Sequence, residues 1–173
     1  MKYLIAVFGV IAVVCGICFC RQKPAVENDF VRIHVTANST SASDENIKYL
    51  VKDAVVEFLI PYLADAQNKQ EAQKIIEENL PQIENLVCQT LKNQNVFYGC
   101  RVSIESENLP TRAYGDLVLE EGVYDCLKID LGQAKGDNWW CVVFPAVCFV
   151  SSKNPQNYEY ISKIWDIINK EKR

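Results

Sequence analysis

The hydrophobic positions of this chain change rhythm as it proceeds. Over residues 3–20 they run without a break (YLIAVFGVIAVVCGICFC), and Arg21, Lys23 and Pro24 close the run. At about 18 residues it reaches the lower limit for crossing a bilayer and exceeds the usual apolar stretch of a signal peptide. Residues 1–20 are therefore expected to act as a signal peptide or a membrane anchor, with Lys2 favouring a cytoplasmic N-terminus and Arg21 and Lys23 pulling the other way. Residues 21–29 read as a polar linker. Over residues 30–37 (FVRIHVTA) the rhythm becomes alternating: Val31, Ile33 and Val35 share one face, and Arg32, His34 and Thr36 share the other. That pattern predicts a half-buried strand with His34 pointing outward.

Residues 38–43 form a polar loop, in which Ser41 or Ser43 is placed to cap a helix. Ile47, Leu50, Val51, Ala54, Val55, Phe58 and Leu59 then recur at helical spacing, with Lys48 and Lys52 off the stripe, until Pro61 ends or kinks the helix. A second helical stretch covers residues 70–92 and is broken at Pro81, which suits the first turn of the later piece. Alternation returns over residues 96–105. Residues 112–119 read as a strand, with residues 124–131 as its hairpin partner across a turn at Glu121 and Gly122. Residues 132–138 form a glycine-containing loop before the apolar residues 139–150. Tyr160, Ile161, Ile164, Trp165 and Ile168 mark a closing amphipathic helix. The order β-α-α-β-β-β-β-α predicts an α+β fold, with a mainly antiparallel sheet packed against helices. Residues 30–173 are read as one extracytoplasmic domain.

Composition narrows the function classes. With 49% hydrophobic and 23% charged residues the chain is globular in character, not disordered. It carries 18 Lys and Arg against 22 Asp and Glu, a net charge of −4. A chain of that sign lacks the phosphate-neutralising charge of a nucleic-acid binder, so no nucleic-acid partner is expected. Cys15, Cys18 and Cys20 lie in the apolar run, which leaves Cys88, Cys100, Cys126, Cys141 and Cys148. An odd number cannot all pair within one chain, and the pairing of Cys88, Cys100 and Cys126 stays open. The domain has no CxxC and His34 is the single histidine, so neither a metal site nor a cofactor is expected.

Candidate chemistry is sparse. Cys141, His34 and Asn38 would supply the thiol, base and orienting amide of a cysteine hydrolase. A chain with one histidine and many cysteines offers such a trio by accident, and the plainer roles are strand, turn and core. Cys141 and Cys148 bracket Pro145, and a bridge between them would close a short loop; the alternative is two buried thiols. Gly132 and Gly136 flank Gln133, Ala134 and Lys135 without the Lys-Ser/Thr of a phosphate loop, so a turn is the better reading. Trp139 and Trp140 point to opposite faces of an extended segment, one available to a partner and the other to the core.

The residues RIHVTANS at 32–39, VKDAV at 51–55, Arg112-Ala113-Tyr114, Gly122-Val123-Tyr124 and LGQAKGDNWWCVVFPAVCF at 131–149 stand in a recognisable order. Over residues 30–150 the chain resembles the stage II sporulation protein R family of endospore-forming bacteria. The resemblance implies a protein made in the forespore and exported into the intermembrane space, secreted or held by residues 3–20. It implies an activator, not an enzyme. The implied partner is a membrane-embedded aspartic protease, stage II sporulation protein GA, which processes pro-sigma-E in the mother cell. The family motif marks His34, Asn38, Ser39, Arg112, Tyr114, Trp139 and Trp140, and these are the expected partner-binding residues.

Overall fold

A computed structural model describes residues 29–114 and 117–145. In chain order the elements are β1 (Val31–Thr36), α1 (Ala42–Leu63), α2 (Lys69–Glu78), α3 (Leu80–Asn93), β2 (Cys100–Leu109), β3 (Arg112–Tyr114), β4 (Leu117–Leu119), β5 (Gly122–Leu131) and β6 (Asn138–Phe144). The α+β class and the mostly antiparallel sheet agree with the pattern reading. The apolar run at residues 3–20, Cys148 and the expected closing helix lie outside the described residues. Among the described residues no helix is long and apolar enough to cross a membrane.

The helices begin where capping chemistry allows. Ser41 precedes α1 and its hydroxyl accepts the Asp44 N–H at 3.2 Å, while Asp44 and Glu45 sit in the positive first turn. Asn68 caps α2 by accepting the Glu71 N–H at 2.9 Å, and Glu71 in return accepts the Gln67 N–H at 2.9 Å. The break between α2 and α3 falls at Asn79, with Pro81 in the first turn of α3 as expected. α1 runs through Pro61 to Leu63, so the proline falls one turn inside the helix, where one missing N–H is tolerated. Its buried side is Ile47, Val51, Val55, Val56, Leu59 and Leu63. Leu50, expected in the stripe, is exposed, and Lys48, expected outside it, is buried. Lys48 tolerates burial because its ammonium donates to Glu45 Oε2 at 2.6 Å and to the Asp137 carbonyl at 3.1 Å.

The main sheet has the order β2-β5-β1-β6. β1 runs parallel to β5 and antiparallel to β6, and β2 pairs antiparallel with β5 from Cys100↔Leu131 to Leu109↔Gly122. One face packs Val31, Ile33, Val35, Leu127, Ile129 and Leu131 against the helices. The opposite face carries a smaller cluster of Leu109, Leu119, Tyr124, Cys126 and Val142. β3 and β4 form a separate two-stranded hairpin at the far end of the β2–β5 pair.

Three sequence expectations change in consequence. The strand expected at residues 96–105 starts at Cys100 and extends to Leu109. Val96 N–H is still bonded to the Leu91 carbonyl, and Asn95 adopts a left-handed φ of 56°, so these residues finish α3. β5 takes β2 as its hairpin partner, and residues 112–119 fold on themselves. β1 is buried on both faces, because it lies between β5 and β6 and its second face is covered by side chains from β3, β4 and β6.

Candidate functional site

Alternation along β1 sends Arg32, His34 and Thr36 to the face away from the helices. The register brings Lys128 of β5 to one side of His34 and Trp140 of β6 to the other. Next to β5 lies β2, which supplies Glu105 and Glu107. His34 is the centre of this group. Its Nδ1 lies 2.8 Å from Glu107 Oε2, and its Nε2 lies 2.8 Å from Asn138 Oδ1 and 3.2 Å from the Thr36 hydroxyl. The Trp140 ring stacks on the imidazole with centroids 5.4 Å apart, and the Arg112 guanidinium of β3 sits 4.6 Å from the Trp140 centroid. The result is a layered stack of cation, indole and imidazole, with the exposed Arg112 outermost.

The electrostatics hold this arrangement. Lys128 donates to Glu107 at 2.6 Å and lies 3.6 Å from Glu105. Burial opposes ionisation of Glu107, but hydrogen bonds from Lys128 and His34 overcome it and keep the carboxyl below its ordinary range. The same contact with Glu107 holds Lys128 above the usual lysine value against the effect of burial. Beside this group, Arg32 is fully buried. Its guanidinium lies 4.9 Å from the Tyr124 centroid and donates to the Tyr114 hydroxyl at 3.1 Å and the Pro110 carbonyl at 3.4 Å. Arg32 Nε and Trp140 Nε1 are buried donors with no acceptor among the described residues.

His34, Arg112, Tyr114 and Trp140 therefore share one face. Trp139 lies on the opposite face, packed against the helix-side core with the Lys52 ammonium 5.3 Å from its ring. Asn38 and Ser39 lie past the end of β1 and organise a loop junction. Asn38 Nδ2 and the Ser39 hydroxyl donate to Asp44 Oδ2 at 2.8 and 2.5 Å, and Asn38 Oδ1 accepts the Gln133 N–H at 2.9 Å. The Ser39 bond is the largest influence holding the Asp44 carboxyl low, with Asn38, Tyr98 and Ser41 adding to it against burial. The glycine loop wraps this junction. Gly132 has φ +58°, and a Cβ there would stand 2.2 Å from Asn38 Oδ1; one on Gly136 would stand 2.3 Å from the Ser39 carbonyl oxygen. The glycines serve close backbone approach, in keeping with the turn reading.

Arg32, Glu107, Lys128 and Asn138 are members of the cluster that were not singled out from sequence. Arg32 carried a signal: a cation two residues before His34 on the same strand face. The hydrolase trio fails on geometry. Cys141 pairs with Ile33 and faces the helices, while His34 pairs with Trp140 and faces the other way, so the sheet separates thiol from imidazole. Among the described residues no group of three or more His, Cys, Asp and Glu side chains could hold a metal ion. Elsewhere, Cys88 and Cys100 approach with sulfurs 3.3 Å apart, whereas Cys126 is buried on the far side of the sheet.

Comparison with known proteins places this geometry in context. The family model for Stage II sporulation protein R matches residues 27–154. Stage II sporulation protein R of Bacillus subtilis (strain 168) is 31% identical over 133 residues, which is 77% of this chain and 59% of that protein. The chain thus aligns with less than two thirds of the relative's length. No solved structure matches.

Proposed function

Because this chain belongs to the stage II sporulation protein R family, we propose that it is an exported sporulation signal that activates a membrane-embedded aspartic protease. In this reading the protease is stage II sporulation protein GA, and its activation releases the mother-cell sigma factor from pro-sigma-E. The protein is a ligand and performs no chemistry of its own. Residues 3–20 direct it out of the forespore, and it works in the intermembrane space, free or tethered. A Cys141–Cys148 bridge, suited to that compartment, belongs to the same proposal.

The observation that carries the reading is the stack of Arg112, Trp140 and His34. Arginine and tryptophan are the side chains most often dominant in protein interfaces. Here Glu107 and Asn138 hold His34, Lys128 fixes Glu107, and the indole stacks on that held imidazole, so part of the side-chain ordering needed for binding is already in place. Activation requires that this face bind the protease's active arrangement more tightly than its inactive one. Asn38 and Ser39 at the loop junction and Tyr114 beside Arg32 belong to the same proposed surface, whereas Trp139 faces the helix side of the sheet.

Co-expression of the chain with the candidate protease and pro-sigma-E in a non-sporulating host tests the proposal. Processing should require the chain. Arg112→Ala and Trp140→Ala should each lower processing by about tenfold or more, as expected for interface anchors, while the domain stays folded by circular dichroism. Equal processing with and without the chain would refute the activator reading.

A further inference from the structure

Cys88 on α3 and Cys100 at the start of β2 are both free and only partly buried, with sulfurs 3.3 Å apart. A disulfide needs about 2.05 Å, so closure asks each sulfur to move by well under an ångström, about the reach of a small side-chain rotation. The backbone between them is already fixed at both ends. Val96 N–H donates to the Leu91 carbonyl at 3.0 Å, and Gly132 N–H donates to the Gly99 carbonyl at 2.8 Å. The two thiols are thus held together by the fold and not by chance encounter. Cys126, the other free cysteine described, belongs to the cluster on the opposite sheet face and is not a competing partner.

We propose that Cys88 and Cys100 form a dithiol that a disulfide oxidant closes into a bridge stapling α3 to β2. One protein thiolate attacks the oxidant's S–S bond, giving a mixed disulfide and releasing one oxidant thiol. The second protein thiolate then displaces the other half of the oxidant. The protein gives up two electrons and two protons, the oxidant becomes two thiols, and one S–S bond replaces another. Burial, and then the adjacent Cys88, pushes the Cys100 thiol up to about 12, so the exchange quickens as pH rises. This chemistry goes beyond the signalling reading and does not depend on it.

The test uses the full-length chain equilibrated in mixtures of reduced and oxidised glutathione, quenched by thiol alkylation and digested with trypsin. Cleavage after Lys74, Lys92 and Arg101 separates Cys88 (residues 75–92) from Cys100 (residues 93–101). Cys126 falls in residues 113–128, and Cys141 and Cys148 fall together in residues 136–153. As the mixture becomes oxidising, the linked pair 75–92/93–101 should become the dominant form. The thermal midpoint should rise by roughly 5–10 °C, because the bridge closes a short loop in the unfolded chain. Cys88→Ser and Cys100→Ser should each show a rise smaller by the share this bridge supplies, since both variants keep Cys141 and Cys148. The proposal is overturned if both peptides stay alkylated at the oxidising limit, if they carry separate glutathione adducts, or if either links to residues 113–128. A bridge that leaves the midpoint unmoved would overturn the stapling.

Discussion

Arg32 is fully buried, yet among the described residues its guanidinium meets a hydroxyl, a carbonyl and an aromatic ring, and its Nε has no acceptor. Two effects compete when it is replaced. Arg32→Ala leaves a cavity and strips Tyr114 and Pro110 of a donor, so unfolding in urea should show a loss of about 2–4 kcal/mol. Arg32→Met fills the space and removes the orphaned donor, and should cost no more than about 1.5 kcal/mol. Equal losses for the two variants would mean that the hydrogen bonds outweigh the packing. The alternation that puts Arg32 and His34 on one face was legible in the sequence. Their burial was not, because it depends on a hairpin from residues far along the chain. Lys48 repeats the lesson on α1: its spacing marks it as off the stripe, and the distant Asp137 carbonyl joins the neighbouring Glu45 in making its burial tolerable.

Among the elements, the glycine loop between β5 and β6 makes the sharpest demand on sequence. Gly132 combines a positive φ with a close approach to Asn38, and Gly136 lies against the Ser39 carbonyl and the Ala37 side chain. Alanine at Gly132 meets both a strained backbone and a clash. Gly132→Ala and Gly136→Ala should each lower stability by about 1–3 kcal/mol, measured by urea denaturation, with Gly132 the costlier. An unchanged midpoint for Gly132→Ala would mean that the loop can swing away from Asn38. A loop here, the serine cap of α1 and the break at Pro81 were all readable, since each is a local event. The partner of β5 was not. Residues 112–119 have enough alternation to pass for one strand, and the Gly115-Asp116 pair within them is itself a hairpin signal that competes with that reading. Which of two hairpins forms is decided by the ten-residue register between β2 and β5, a match that no short window displays.

At the scale of the whole molecule, several carboxylates tie distant segments together, and their titration sets the acid limit. Asp44 is held low by Ser39, Asn38, Tyr98 and Ser41, and Asp125 chiefly by Lys69 of α2; Glu107 is held low by Lys128 and His34. Each has a folded value below its unfolded one. Their stabilisation is therefore complete above the ordinary carboxylate range of about 4 and is lost as pH falls through the lower folded values. The urea midpoint should decline below about pH 4, and Asp44→Asn should make that decline shallower. A decline of unchanged steepness in Asp44→Asn would remove Asp44 from the account. The fold class was legible because it sums many local patterns. The clustering of His34, Arg112, Tyr114 and Trp140 was suggested only by family likeness, since they come from three separate strands.

β1 opens the described chain but lies between β5 and β6, two of the last strands to follow it. Its sheet neighbours therefore arrive late, and contacts so far apart in sequence form slowly. A polypeptide threaded N-terminus first through a narrow conduit would consequently stay pliable until nearly all of it had arrived on the far side. Only then would the sheet zip shut around its first strand, and that late closure would act as a ratchet against slipping back.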